Sequence, residues 1–429
     1  MVIETRPPVK REIELREVKK AVVALVGLGY VGLPLANAFS RKNRVIGYDM
    51  KTDLVRKMNS EHKYNFPATT DPKALREADF IIIAVPTPVN EFKEPDLSPV
   101  INASRTVSQY MKPGCTIILE STVYPGVTEE IVKPILEETG KKCGQDFKIA
   151  YCPERINPGD NEHGIDNVVK VVSGMDEETA EAVAALYATI CGSVFKAKNI
   201  KTAEAAKVIE NVQRDLNIAL TNELSLIFER LGIKTSDVMD AASTKWNFHR
   251  YMPGMVGGHC IPVDPYYLVR KAKELGYEAR VILAGRSVND YMPVHISQMI
   301  IKGLNEMNKV INGSKVLLMG LTYKENVPDT RETPVKEMIK ELKKYKVELL
   351  GFDPVLNGQV AEFDVKGVTD LRSLKDIDCL VLCVGHQAFR QFSLSDLKAI
   401  TSPNPVLIDV RGFFKAAEAE KMGFYYKTL

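Results

Sequence analysis

The chain has 429 residues, 45% of them hydrophobic, with 57 Lys and Arg against 55 Asp and Glu for a formal charge of +2. That length exceeds one ordinary core and implies two or three domains, while the near balance of charge leaves no footprint for nucleic acid. No apolar run of about 20 residues is present to span a bilayer, so neither a membrane nor a nucleic acid is expected as a partner.

The opening stretch, MVIETRPPVKREIELREVKK, is polar and alternates in charge. It is unlike a secretory signal and reads as an arm over residues 1–20. A first domain is expected over 21–200. Residues 21–26 are apolar and β-rich, and run straight into Gly27, Gly29 and Gly32. Residues 33–40 then read as a helix and 44–48 as a second strand ending at Asp49. Further buried strands are expected at 80–85, 116–120, 148–151 and 168–172, with helical stretches between them. Strands alternating with helices predict a parallel sheet covered on both faces. The texture changes at 201–231, a stretch without proline whose apolar residues recur at helical spacing until Gly232. With 262–308 also mostly helical, 201–310 reads as a helical middle section. Strands are expected again at 315–319, 346–350, 379–384 and 406–410, giving a last domain over 311–429. The predicted fold class is α/β: an N-terminal Rossmann-type parallel sheet, a helical middle section and a second Rossmann-like C-terminal domain.

GxGxxG alone is a weak signal. Here it follows a buried strand, opens a helix, and has an acidic residue at the end of the next strand. Gly27 would make the tight turn, Gly29 would let backbone approach a pyrophosphate, and Gly32 would let helix and strand pack closely. The helix N-terminus favours phosphate. Asp49 can accept from both adenosine-ribose hydroxyls and would repel a 2′-phosphate, so NAD is expected rather than NADP. A nucleotide-free doubly wound domain is the bland alternative. The second glycine region, Gly320 to Lys324, lacks the full loop; it is a poor dinucleotide site but could serve as a sugar-nucleotide cleft.

The seven cysteines are scattered, with no CxxC. Structural zinc and a disulfide framework are disfavoured, and a reducing, cytoplasmic address fits better. Cys379 and Cys383, in an apolar run, read as buried small hydrophobes. Cys260 differs, because Gly257, Gly258, Pro262 and Pro265 surround it with turn formers, and the glycines would permit close approach of a ligand. His259 is adjacent and Asp264 lies four positions on. Adjacent side chains in so short a loop rarely converge on one ion, so no metal is expected. On the long helix, Lys207 and Asn211 are four apart on one face, with Arg214 near it. An ammonium and an amide could both donate to an oxyanion. Glu154 could orient or activate water, or simply pair with Arg155.

GLGYVGLPLA, VPTP, STVYPGVTEE, YCPERINPGD, KTAEAAKVIENVQRDLNIALTNE, VGGHCIPVDPYYL, GLTYKENVPDTRETP and GFDP occur in that order. In this the chain resembles the nucleotide-sugar 6-dehydrogenases, which include UDP-glucose, GDP-mannose and UDP-N-acetylhexosamine dehydrogenases. The ERINPGD block followed by His163, with VDPYYL, is similar to the UDP-N-acetylglucosamine or N-acetylgalactosamine 6-dehydrogenases. The UDP-N-acetylmannosamine enzymes are close competitors and UDP-glucose dehydrogenases come next. The resemblance implies Cys260 as nucleophile, with Lys207 and Asn211 holding the oxygen on sugar C6. It implies that Asp264 holds or polarises a water, that Glu154 assists hydrolysis, and that Thr122 places water and contacts nicotinamide. NAD would lie against the glycine loop with Tyr30 and Val31, Asp49, Pro86, Thr87 and Arg331. Arg155, Arg214, Arg250, Gly257, Lys324 and Arg411 would join Glu154, Lys207 and Asn211 around the UDP-sugar. A homodimer through the middle helices is implied as well. One departure is Met252, immediately before Pro253, where relatives usually carry arginine there or nearby; Arg250 and His249 are the available substitutes. Two other readings remain: an alcohol dehydrogenase that stops at the aldehyde and needs no cysteine, and an NAD-responsive structural or regulatory protein.

Overall fold

A computed structural model describes residues 18, 20–155, 164–356, 358 and 360–429. The expected arm, apart from Val18 and Lys20, lies outside the described residues, and so does the 156–163 segment with Pro158 and His163. The chain divides into two compact units, Met1–Glu210 with Tyr266–Glu278, and Asn211–Pro265 with Ala279–Leu429.

The first unit is built from β1 (Val22–Val26), α1 (Gly32–Phe39), β2 (Arg44–Tyr48), α2 (Thr52–Glu61), β3 (Ala68–Thr69), β4 (Phe80–Ile83), α3 (Ser98–Tyr110), β5 (Cys115–Leu119), α4 (Lys133–Glu137), β6 (Phe147–Tyr151), β7 (Val169–Gly174), α5 (Glu177–Tyr187) and β8 (Ser193–Lys196). Its sheet has the order β3-β2-β1-β4-β5-β6-β7-β8. The inner strands FIII and CTIIL are buried at every position, the pattern of a parallel sheet with helices on both faces. One pair departs from expectation: β6 and β7 run antiparallel. A parallel return needs a crossover of a dozen or more residues, usually a helix, and among the described residues between β6 and β7 there is no helix. The short edge strands β3 and β8 escape a reading based on apolar runs.

Next in the chain come α6 (Ile200–Leu231), within which the boundary between the units falls, α7 (Thr235–Ala242), α8 (Asp264–Glu274) and α9 (Arg280–Glu306). Gly232, with φ of +69°, ends α6 in the left-handed conformation that glycine tolerates. The second unit then adds β9 (Lys315–Met319), α10 (Val335–Lys343), β10 (Glu348–Phe352), β11 (Lys366–Gly367), β12 (Ile377–Leu382), α11 (Leu394–Ala399), β13 (Thr401–Asp409), α12 (Ala416–Lys421) and β14 (Tyr425–Lys427). The order β11-β10-β9-β12-β13-β14 is parallel throughout and repeats the order of the first six strands. Cys379 and Cys383 are buried against it, as their apolar context implied. The α/β class with two Rossmann-like sheets is borne out.

Candidate active site

In the first unit, the cofactor candidates follow the C-terminal ends of adjacent strands. Gly27–Gly32 follows β1, Asp49 follows β2, Pro86 and Thr87 follow β4, and Thr122 follows β5. β1 lies between β2 and β4, so these ends flank the point where strand order reverses, where open α/β sheets bind ligands. The three glycines differ physically. Gly27 has φ of +95°, and a Cβ there would lie 2.6 Å from Ala84 O. A Cβ on Gly32 would lie 1.8 Å from Gly27 O. A Cβ on Gly29 would meet nothing within 4 Å. Gly27 and Gly32 are thus required by the fold, whereas open space over Gly29 suits a pyrophosphate passing close to backbone. No side chain caps α1 at Val31, which keeps its N-terminus suited to phosphate. Tyr30 is exposed beside it. Asp49 accepts from Leu28 N–H and Lys51 N–H, both at 2.9 Å; a carboxylate offers about four lone-pair sites, leaving room for ribose hydroxyls. These residues fit NAD.

Next to Thr122, the Ser121 Oγ accepts from Val85 N–H (3.0 Å) and donates to Val85 O (2.7 Å), joining the ends of β4 and β5. Glu154 follows β6. Its Oε1 accepts from Arg155 N–H at 2.7 Å, but the Arg155 guanidinium turns to Glu210 Oε1 (2.6 Å) and Val169 O (2.8 Å). The expected simple alternative, a Glu154–Arg155 side-chain pair, is therefore replaced by Arg155–Glu210. Beneath these loops lies a polar cluster that the sequence reading missed. Lys170 on β7 contacts the fully buried Glu120 and donates to Pro153 O at 2.9 Å, and Tyr187 OH donates to Glu120 Oε2 at 2.5 Å. Burial raises Glu120, with Lys170 pulling the other way. Burial would lower Lys170, but the carboxylates of Glu120 and Glu154 hold it raised. A charged residue at 170 within an apolar strand, and another closing the apolar run at 120, were the available signals.

In the second unit, Val263 N–H and Asp264 N–H donate to Cys260 O at 3.1 and 2.8 Å. Cys260 thus sits on a turn that leads into α8. Asp264 is buried, and Asn211 Nδ2 donates to its Oδ2 at 2.5 Å. Lys207 lies one turn before Asn211 on α6 and is half-buried. A side chain at either flanking glycine would collide with the protein itself. A Cβ on Gly257 would come within 2.5 Å of Pro334 Cδ, and one on Gly258, whose φ is +89°, within 2.7 Å of Tyr323 Cε2. Gly258 N–H donates to Glu332 O at 3.2 Å, so the GGHC loop is pressed against the 320–334 loop. Asn222 was also missed. It clasps Gly254 with both ends of its amide (3.0 and 2.8 Å) and reaches Asn289 at 2.8 Å. Asp215, on the same stripe of α6, meets Arg286 at 2.6 Å. Polar residues at 211, 215 and 222 recurring on one helix face were the clue.

The remaining candidates are spread over this unit. Arg214 is exposed. Arg250 pairs with Asp240 at 2.5 Å and Met252 is exposed. Arg331 pairs with Asp329 in its own loop at 2.6 Å. Arg411 lies 3.5 Å from Glu325, and its Nη1 is 2.8 Å from where a Gly254 Cβ would be. Lys324 is half-buried in the 320–334 loop. Among the described residues, no group of three or more His, Cys, Asp or Glu could hold a metal, and no helix is long and apolar enough to cross a membrane.

A glycine loop at the switch point with an acidic residue on the next strand defines a dinucleotide-binding protein of the NAD type. Family models extend this over most of the chain. They describe the UDP-glucose/GDP-mannose dehydrogenase family, with the NAD binding domain at 61–191, the central domain at 201–291 and the UDP binding domain at 317–416. The chain is 42% identical over 415 residues to UDP-N-acetyl-D-glucosamine 6-dehydrogenase of Salmonella typhi, covering 93% of this chain and 97% of that one. It is 32% identical over 438 residues to UDP-N-acetyl-D-mannosamine dehydrogenase of Methanococcus aeolicus, covering 96% of each. Its fold matches the structure of the UDP-D-ManNAc dehydrogenase from Pyrococcus horikoshii with a TM-score of 0.86 at 29% identity, over 95% of this chain and 98% of that one. The chain belongs to the UDP-glucose/GDP-mannose dehydrogenase family and is an NAD-dependent nucleotide-sugar dehydrogenase.

Proposed function

We propose that this enzyme oxidises the C6 hydroxyl of a UDP-N-acetylhexosamine, UDP-N-acetylglucosamine or UDP-N-acetylgalactosamine, to the carboxylate without releasing the aldehyde. The observation that carries the proposal is the 260–264 turn, where a cysteine at the entrance to a helix stands beside a buried Asp264 held by Asn211. The 42% identity to a UDP-N-acetyl-D-glucosamine 6-dehydrogenase, against 32% to a mannosamine enzyme, supports the choice of sugar. NAD, when bound, supplies the hydride acceptor for each of the two oxidations. Lys207 and Asn211 donate to the C6 oxygen as it gains negative charge. Asp264 and Thr122 lead the hydroxyl proton away through water. Cys260 Sγ adds to the aldehyde carbon, and its proton passes to the carbonyl oxygen, giving a thiohemiacetal. Loss of a hydride and a proton from that adduct leaves a thioester, because a free aldehyde could lose hydride only by forming an acylium ion. Water assisted by Glu154 or Asp264 then cleaves the C–S bond, giving the acid and returning the thiol.

Arg155, Arg214, Arg250, Gly257, Lys324 and Arg411 are proposed as further contacts to the UDP-sugar, and Arg331 as a cofactor contact. A cytoplasmic homodimer is part of the same proposal; exposed Leu220, Ile227 and Leu231 on α6, with Trp246, support an apolar interface. The test is a matched panel of UDP-glucose and the UDP forms of N-acetylglucosamine, N-acetylgalactosamine and N-acetylmannosamine, following NADH and acid together. Two NADH per acid with either of the first two N-acetyl sugars is the expected result. Cys260→Ser is expected to bind NAD and yet form almost no acid; unaltered acid output from that variant removes the mechanism. Preferred turnover of the mannosamine substrate replaces the sugar assignment and leaves the chemistry standing.

A further inference from the structure

The second unit repeats the cofactor cradle of the first and then crowds its carboxylate. Gly27 and Gly320 each end the first strand of their sheet with positive φ, +95° and +83°. A Cβ on either would strike a carbonyl at the end of the neighbouring strand, Ala84 O at 2.6 Å or Val384 O at 2.5 Å. Asp49 and Asp353 each follow the second strand and accept from the residue after that glycine, Leu28 N–H at 2.9 Å and Leu321 N–H at 2.6 Å. The resemblance stops at exposure. Asp49 is half-buried, whereas Asp353 is buried and also accepts from Thr322 N–H (3.2 Å) and Val355 N–H (2.9 Å). His386, fully buried after β12, occupies the remaining side, with Nε2 at 3.2 Å from both Asp353 Oδ2 and Thr322 Oγ1. Burial would raise the Asp353 carboxyl, but the hydrogen bonds from His386 and Leu321 hold it below the usual range. Four donors thus converge on Asp353 against two on Asp49, so this cradle offers a ribose less than the first does.

The other ring nitrogen sets the tautomer. His386 Nδ1 accepts from Asn326 N–H at 2.9 Å, so the proton lies on Nε2. Thr322 Oγ1 donates onward to Lys324 O at 2.9 Å, and Gln387 N–H donates to Asn326 Oδ1 at 2.8 Å. Asn326 is held at φ of +61°, a conformation that is uncommon for a residue with a side chain. The ring thus fixes both ends of the 322–326 loop. That loop carries Lys324 and also Glu325, the partner of Arg411.

We propose that His386 is a positioning residue for the nucleotide-sugar site, using Nδ1 to hold the 322–326 loop so that Lys324 and Arg411 are set to receive the diphosphate. This rests on the reading of the substrate as a UDP-sugar. The test separates the two ring nitrogens. Asparagine places an amide acceptor near the position of Nδ1, whereas glutamine places a donor near that of Nε2. UDP alone and NAD alone are titrated into the full-length enzyme and its His386→Asn and His386→Gln variants, with steady-state kinetics in parallel. The expected result is a loss of UDP affinity of about tenfold for His386→Gln, the scale of one hydrogen bond, and much of it restored in His386→Asn. KM for the UDP-sugar should follow the same order, with NAD affinity unchanged. UDP bound equally by the wild type and His386→Gln overturns the proposal, as does an equal loss for UDP and NAD. A wild-type enzyme that binds NAD but not UDP removes the substrate reading beneath it.

Discussion

Alanine at Gly32 would set a methyl carbon 1.8 Å from Gly27 O. A close C···O contact is about 3.3 Å, so α1 and the loop would have to part by about 1.5 Å. The displacement would drag Leu35, Ala36 and Phe39, all fully buried, out of their packing. Overpacking costs about 1–3 kcal/mol, and because the obstacle is backbone the upper end applies. For a unit of this size that is a fall in Tm of about 6–12 °C. Alanine at Gly29 meets no protein atom within 4 Å, and its φ lies outside the left-handed region, so the apo protein should keep its Tm. Its methyl would instead enter the space proposed for the pyrophosphate, and a tenfold loss of NAD affinity is expected, about 1.4 kcal/mol. Thermal shift reads both effects. With NAD at 100 times the wild-type Kd, the wild type gains about 2.7 kcal/mol and Gly29→Ala only about 1.4, roughly halving its shift. Early melting of Gly29→Ala without cofactor, or stabilisation by NAD as strong as in the wild type, would refute this division of roles between the two glycines.

Asp49→Asn should narrow the preference for NAD over NADP by removing the charge that opposes a 2′-phosphate; equal affinities for the two cofactors in the unmodified enzyme would already discard that role. Burial lifts Glu120 to about 7, above the value of about 4.3 for an unfolded glutamate. Its contribution is therefore fully present below the unfolded value and lost as pH rises through about 7, and the Tm difference between pH 5 and pH 7.5 should shrink in Glu120→Gln. Lys170→Met leaves Glu120 buried without its cation, a change of about 3–5 kcal/mol, and should lower Tm far more than Lys148→Met, whose partner Glu178 is exposed. Asn222→Ala removes both clasps on Gly254 and should cost about 1–3 kcal/mol by chemical denaturation; no change would mean that the 254 segment is held by other contacts.

The strands that were legible in the sequence are those buried on both faces, because burial requires continuous apolar runs such as FIII and CTIIL. Ala68–Thr69 and Lys366–Gly367 are too short to carry a pattern, and their pairing is set by neighbours far away in the chain. The direction of β7 was hidden for another reason. Its residues look like those of a parallel strand, and its direction shows only in the pairing with β6, which no local pattern records. At 235–242 the TSDVMDAA helix has only two buried residues, too few for its periodicity to stand out.

At the site, legibility followed whether a residue acts through its own atoms or through another residue. Gly27, Asp49, Cys260 and Asp264 sit in spaced blocks whose chemistry can be read locally. Lys170, Asn222 and His386 do not, since each is a polar side chain within or beside apolar sequence, and its meaning lies in a partner 32 to 64 residues away. Such residues are nevertheless conspicuous by their cost. A buried charge or amide without partners destabilises by several kcal/mol, so its presence in an apolar stretch implies that the fold supplies those partners. The partners found are the ends of the loops that carry Glu154 and Lys324 and the segment that precedes Cys260. Buried polar groups in this chain therefore lie where loops must be held in one conformation. Lys170 and His386, polar residues within or beside apolar runs, thus mark loop supports already in the sequence.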